Sequence, residues 1–313
     1  MTTGITVAVV GDRDVAHELG KKGTSSDLTL YNSSHDGHAV TVVEPTQFPE
    51  KFGALLFAIA MADRVVFAIS AISREIAETA ATLEMFDVPV EVRLGLSVGE
   101  EEVRRAFKGS PWERAKMTAL DSARLRTEID GWATPERPGP VRVPLDHAFP
   151  VKGVGAVALG VVRNGHLTAH EKLRLYPTDK VVEVRSIQVH DVDVRSANTG
   201  ERVGTALKGV EAEELSRGQV LAPEGSLSVA TTVRGSDWRK SRYYRGTIAP
   251  GAQVQLLVGL QLVPARFGEV GESAITLTPD RPVAFAPGDP IVVADLSPPS
   301  GPRIVGRAVT AAP

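Results

Sequence analysis

The chain has 313 residues, 42% of them hydrophobic, a net charge of −3 and no cysteine. Such a length and apolar content support two or three domains with real cores. The missing thiols exclude disulfides, cysteine-zinc sites and thiol nucleophiles, and the near-neutral charge excludes a global pull on nucleic acid while leaving local basic patches open. No basic stretch followed by an apolar one opens the sequence, and the longest apolar run, residues 54–62, stops at Asp63, too short to cross a bilayer. A soluble protein with a cytoplasmic address and no membrane partner is expected.

In chain order, residues 5–10 and 39–43 read as strands, 52–62 as a buried helix, 64–69 as a strand, 74–86 as a helix and 88–94 as a strand. Residues 99–108 and 119–129 read as further helices. This alternation predicts a mostly parallel sheet covered by helices over residues 1–134. Pro135, Pro138, Gly139, Pro140 and Pro144 then mark a linker over 135–144. Beyond it the chain is rich in short Val-containing strands without a helical pattern, which predicts two β-barrels, 145–224 and 225–313, divided at Ala222-Pro223-Glu224-Gly225. Asn164-Gly165 between β-rich runs predicts a hairpin. Gly153 and Gly155 lack a following helix and read as a tight barrel bend rather than a phosphate loop.

The segment after the first strand, Gly11 to Glu18, is informative through what it lacks. A P-loop reads G-x-x-x-x-G-K-[ST]. Gly11 keeps the first position, but the second Gly is Ala16, the Lys is His17 and the Ser/Thr is Glu18. The Lys would neutralise phosphates and the hydroxyl would hold Mg²⁺. Glu18 instead brings negative charge, and a like-charge contact at 4 Å costs roughly 4 kcal/mol at intermediate dielectric, about a thousandfold in affinity. From the local sequence alone an ordinary strand-turn-helix with no ligand is the plainer reading, because short motif remnants are common by chance.

Other constellations are weaker. His35-Asp36-Gly37-His38 reads as a solvated turn rather than a metal site, and no metal is expected. His147, His166, His170 and His190 are scattered, with no nucleophile and base legible together. Residues 234–245 interleave Arg234, Arg239, Lys240, Arg242 and Arg245 with Trp238, Tyr243 and Tyr244. Bases of this kind meet phosphates and rings stack on nucleobases, whereas a charged barrel strand with its aromatics in the core is the plainer alternative.

The order α/β domain, barrel, barrel resembles translational GTPases such as elongation factor Tu. Phe149-Pro150-Val151-Lys152-Gly153-Val154-Gly155 is similar to the opening of that family's second domain, and Gly160-Val161-Val162-Arg163-Asn164-Gly165 to its G-x-V-x-x-G stretch. Residues 204–210 and 215–222 resemble its G-x-x-L-x-G-V and R-G-x-V-L-A ending, and Val258-Gly259-Leu260-Gln261 resembles the selenocysteine-specific branch, SelB. The resemblance covers nearly the whole chain and implies an archaeal-type SelB-like paralogue whose GTPase domain is degenerate.

Placed on the family pattern, Asp14 matches the Asp inside the P-loop. Glu44-Pro45-Thr46-Gln47-Phe48 falls on D-x-P-G-H, whose Asp helps hold Mg²⁺, whose Gly senses the γ-phosphate and whose His positions the attacking water. Here those three are Glu44, Gln47 and Phe48. Gly95-Leu96-Ser97-Val98 stands where the guanine-reading N-K-x-D is expected and supplies no Asp, and the interval from Gly11 to Glu44 is short for a switch loop. The resemblance thus implies a pseudo-GTPase without cofactor or catalytic residue, binding tRNA or another translation RNA through Arg234, Trp238, Arg239, Lys240, Arg242, Tyr243 and Arg245. The ribosome or translation proteins are further expected partners. The alternatives are an interaction scaffold without RNA contact, and a switch that keeps guanine nucleotide in an altered pocket.

Overall fold

A computed structural model describes residues 3–312 apart from residues 14, 36 and 135. The N-terminal part is a mixed sheet with helices on its faces. Its elements are β1 (Thr3–Gly11), β2 (Lys21–Ser25), β3 (Thr29–His35), β4 (His38–Glu44), α1 (Phe52–Met61), β5 (Arg64–Ile69), α2 (Arg74–Leu83), β6 (Val90–Leu94), α3 (Glu100–Ala106), β7 (Met117–Ala119) and α4 (Ser122–Asp130). The strand order is β2-β3-β4-β1-β5-β6-β7. The pairs from β4 to β7 are parallel, while β2, β3 and β4 form an antiparallel edge.

β1 is covered on both faces and accordingly reads as a continuous apolar run. Ile5, Val7 and Val9 enter one core with Leu125 and Ile129 of α4, and Ala8 and Val10 enter the other with α1 and α2. α1 is apolar all round because it is sandwiched: Leu257, Leu260, Val292 and Ile304 of the C-terminal barrel join the same core. Ser73 caps α2 by accepting from the Ile76 amide, and Asp121 caps α4 by accepting from the Arg124 amide.

The second part comprises β8 (Val143–Val151), β9 (Gly155–Val161), β10 (His166–Thr168), β11 (Lys172–Tyr176), β12 (Val181–Val189), β13 (Val192–Val194), β14 (Ser196–Asn198), β15 (Arg202–Lys208) and β16 (Val220–Ala222). Six strands close a ring, β11-β16-β8-β9-β15-β12, through the pairing of β11 with β12. The third part holds β17 (Ser228–Ala230), β18 (Val233–Lys240), β19 (Gln253–Val258), β20 (Gln261–Val270), β21 (Ala274–Pro279), β22 (Val283–Phe285), β23 (Pro290–Ala294) and β24 (Ile304–Thr310). Its closed barrel runs β18-β21-β20-β19-β23-β24. The fold is therefore the α/β-plus-two-barrel architecture the sequence predicts.

Several local expectations are corrected. No α-helix follows β1; residues 16–18 form one turn of 3₁₀ helix whose preceding residue, Val15, gives no side-chain cap. β2 and β3 occupy a stretch that carries no legible strand pattern. The helix expected from residue 119 begins at Ser122, because residues 117–119 pair with β6 as β7. Asn164-Gly165 does not make a hairpin of its flanking strands: β10 leaves the barrel and pairs with β14. Gly153 and Gly155, both at positive φ, flank the turn of the β8–β9 hairpin instead of bending a strand.

Candidate functional site

The crest of β1 is the first region of interest. Gly11 has φ +96°, and a Cβ there would stand 2.1 Å from the Ala68 carbonyl oxygen. The glycine is thus required by its positive φ and by the close pairing of the end of β1 beside Ala68 of β5, with no ligand needed to explain it. Ala16 and Leu19 are buried in the core under α4, while His17 and Glu18 are exposed on the far side of the turn. Asp14 lies outside the described residues. A cleft of about 520 Å³ beside Gly11 is lined by Asp12, Arg13, Glu50, Ser70 and Glu75. Asp12 accepts from the Ser70 hydroxyl and Arg13 donates to the Phe48 carbonyl. Hydrogen bonds from its own backbone amide and from Ser73 hold the Glu75 carboxyl below its ordinary value. Three carboxylates against one guanidinium give this cleft a net charge of −2.

The residues following β4 are turned to structural use. Glu44 is buried and accepts from the Tyr31 hydroxyl at 3.0 Å. Burial, with the Glu44 charge behind it, pushes the Tyr31 hydroxyl up to about 12. Gln47 is half-buried and reaches the Ser26 carbonyl at 3.5 Å. Phe48 is buried against Phe52, with the Arg303 guanidinium 5.7 Å above its ring. In the loop after β6, Leu96 is fully exposed and Val98 is buried.

The basic-aromatic segment divides in two. β18 points Val233, Gly235 and Trp238 inward and Arg234, Arg239 and Lys240 outward, with a bulge at Asp237, whose φ is +52°. Trp238 is in the barrel core, edge-on to Phe267 at 6.0 Å, so it is unavailable for stacking. Arg242 donates to Glu84 at 2.8 Å and to the Gly109 carbonyl, and the Tyr243 hydroxyl donates to Glu84 at 3.0 Å. These two residues join the second barrel to the end of α2. Arg234, Arg239, Lys240 and Arg245 form the outward set.

A third cluster, between the β2–β3 turn and β8, is illegible in the sequence. Asp146 is buried and accepts from Arg202 through Nη2 at 2.7 Å and Nε at 3.1 Å. His147 Nδ1 lies 2.6 Å from Asp146 Oδ1, and its Nε2 lies 2.8 Å from the Ser26 hydroxyl. Burial raises the Asp146 carboxyl, but the Arg202 charge and the His147 hydrogen bond overcome that and hold it at about 2. Alongside, Arg217 makes two 2.7 Å bonds to Asp27 and lies 4.7 Å over the Phe57 ring. The hydroxyl–imidazole–carboxylate line has the order of a nucleophile relay. Ser26 Oγ also meets Asp27 Oδ1 at 2.9 Å, a second carboxylate competing for the same hydrogen. The array therefore acts as a clasp between the sheet and the first barrel. An Asp on an apolar barrel strand was the one available signal; its partner Arg202 is 56 residues away.

His35 and His38 face each other across the tip of the β3–β4 hairpin, with Asp36 outside the described residues. Among the described residues no group of three or more His, Asp or Glu is placed to hold a metal, and no helix is long and apolar enough to cross a membrane.

Known proteins agree with this architecture. Residues 155–222 match the family model of elongation factor Tu domain 2. The uncharacterized protein MJ0325 of Methanocaldococcus jannaschii is 36% identical over 298 residues, 94% of this chain and 96% of that one. The selenocysteine-specific elongation factor of the same organism is 34% identical over 146 residues, a stretch covering 47% of this chain but only 29% of that factor. The crystal structure of translation elongation factor SelB from Methanococcus maripaludis, in complex with the GTP analogue GppNHp, superposes with a TM-score of 0.84 at 21% identity. That superposition covers 99% of this chain and 79% of the factor. Sheet, barrels and their order are the architecture of the SelB-type elongation-factor fold. Within it, the chain belongs to the SelB-like elongation-factor superfamily.

Proposed function

We propose that this is a translation-factor-type protein that works without guanine nucleotide and engages tRNA or another translation RNA. One observation carries the first half. β1 leads at Gly11 into a single 3₁₀ turn and then into β2, so the α-helix that follows β1 and seats the phosphates in a P-loop protein has no counterpart here; the first turn of α2, which does line the cleft, brings the carboxylate of Glu75. The net charge of −2 in the neighbouring cleft works in the same direction, repelling a triphosphate where phosphoryl transfer needs positive charge. Phe48, buried beneath Arg303, has no group with which to orient water.

The RNA half rests on the outward Arg234, Arg239, Lys240 and Arg245, and on the contact between the sheet and the first barrel. In the family the first two domains cradle the aminoacyl end of tRNA; here the contact between them holds the partly exposed His147, backed by Asp146 and Arg202. Calorimetric titration with GDP and GppNHp in the presence of Mg²⁺ tests the proposal, followed by filter binding of bulk tRNA on the same sample. The expected result is no nucleotide heat at millimolar concentration together with salt-dependent tRNA retention. Micromolar nucleotide affinity overturns the first half, and absence of tRNA binding at low salt overturns the second.

A further inference from the structure

Where the sheet, the linker and both barrels meet there is a cavity of about 330 Å³, at the small end of the range for small-molecule sites. One wall is apolar, built from Ile59 of α1, Leu257 of β19 and Val292 of β23. The other carries three guanidinium groups, Arg137, Arg142 and Arg163. Arg142 commits both Nη atoms to Asp289, at 2.7 and 2.6 Å. Arg137 and Arg163 each turn Nη1 to the same oxygen of buried Asp63, at 2.7 and 3.0 Å. Asp87 also lines the cavity but is largely exposed, and its charge is met by Arg307 at 3.4 Å. Three cations against Asp63 and Asp289 leave one positive charge without a counterion inside the wall.

From this we infer that the three-domain junction binds a small organic oxyanion, a carboxylate or phosphate ester with an apolar body. The uncompensated charge takes the head and the α1–barrel wall takes the body, an arrangement typical of ligand pockets in which a few polar groups orient an apolar ligand. Burial, reinforced by the charges of Arg137 and Arg142, holds Arg163 down at about 10 even with Asp63 beside it. A neighbouring anion would relieve that pressure. Because the walls come from every domain, an occupant also fixes how the domains dock.

The test is calorimetric titration of the full chain with 4-phenylbutanoate, 4-phenylbutyl phosphate, inorganic phosphate and the neutral 4-phenylbutanol. Binding of at least one amphiphilic anion about tenfold or more tighter than the alcohol and than inorganic phosphate is expected, and the tighter of the two anions identifies the head group. Asn164 lines the cavity, and the nearly isosteric Asn164→Asp places a carboxylate where the charge is spare. It should weaken the anions about tenfold and leave the alcohol unchanged. Arg137→Gln, which still leaves Asp63 with Arg163, should act in the same direction. Alcohol binding equal to that of the anions, no anion binding at millimolar concentration, or anion binding indifferent to both substitutions overturns the inference.

Discussion

Arg303 and Glu78 close on each other between the second barrel and α2. The guanidinium reaches the two carboxylate oxygens at 2.9 and 2.7 Å, while the Arg303 backbone amide adds a third bond at 2.9 Å. The same guanidinium lies 4.6 Å over Phe52 and donates to the Pro49 carbonyl. One arginine thus ties a barrel to a helix and also covers Phe48, at 5.7 Å from its ring. Removing one partner of such a pair leaves the other charge buried alone, at a cost of about 3–5 kcal/mol. Glu78→Ala should lower stability by about 3 kcal/mol in urea unfolding followed by tryptophan fluorescence. A loss under about 1 kcal/mol would mean that solvent screens the pair.

Acid should loosen the sheet from the first barrel. Burial raises the Asp27 carboxyl, but the hydrogen bonds and charge of Arg217 more than offset it and hold it at about 2. Asp146, with Arg202, is held at about 2 as well. A depressed carboxylate contributes stability that is complete above its unfolded value, near 4, and is lost as pH falls through the folded value. Each is worth about 2 kcal/mol above pH 4. Thermal stability should therefore fall steeply between about pH 4 and 2, and Asp27→Asn should flatten that fall while lowering the plateau above it. A profile identical in wild type and Asp27→Asn would contradict the assignment.

Charge reversal should separate the two halves of the basic segment. Arg239→Glu and Lys240→Glu alter only outward side chains. They should weaken tRNA binding and reduce the slope of log affinity against log salt by about 0.7–0.9 for each phosphate that is no longer neutralised. Arg242→Glu faces Glu84 instead, and should lower the melting temperature of the free protein. Equal effects of all three on RNA, with none on stability, would be inconsistent with the division.

Gly200 tests the seat of the first barrel on β1. At φ +89° its Cβ would stand 2.0 Å from the Gly4 carbonyl oxygen. Gly251 has a similar φ of +83° with nothing within 4 Å, so it isolates the conformational cost alone. Gly251→Ala should cost about 1 kcal/mol and Gly200→Ala about 2–3 kcal/mol more. Equal melting temperatures would show that the barrel shifts freely on the sheet.

The elements legible in the sequence are those whose burial writes itself into an apolar pattern. β1, β5 and α1 are covered on every side and read as runs of Val, Ile, Leu and Ala. β2 is illegible because it is an exposed edge held by main-chain bonds to β3, so Lys21, Lys22 and Ser25 answer to no core. At Asn164-Gly165 the dipeptide marks the bend at Gly165 but cannot say which strand accepts the next one. The clefts are the least legible: Asp27 meets Arg217 across 190 residues and Arg242 meets Glu84 across 158, separations that no local spacing encodes. Motif comparison singles out Gly11, Ala16 and Phe48, while their structural employment, against Ala68, beneath α4 and under Arg303, emerges only from the packing.

The antiparallel hairpin that fills the interval after β1 also sets one rim of the sheet. One rim is β2, where two consecutive lysines project into solvent; the other is β7, three residues long. Charged or very short border strands are poor templates for recruiting a strand from another molecule. The β2–β3 hairpin thus gives this edge of the sheet a charged hem that discourages fibrous self-association.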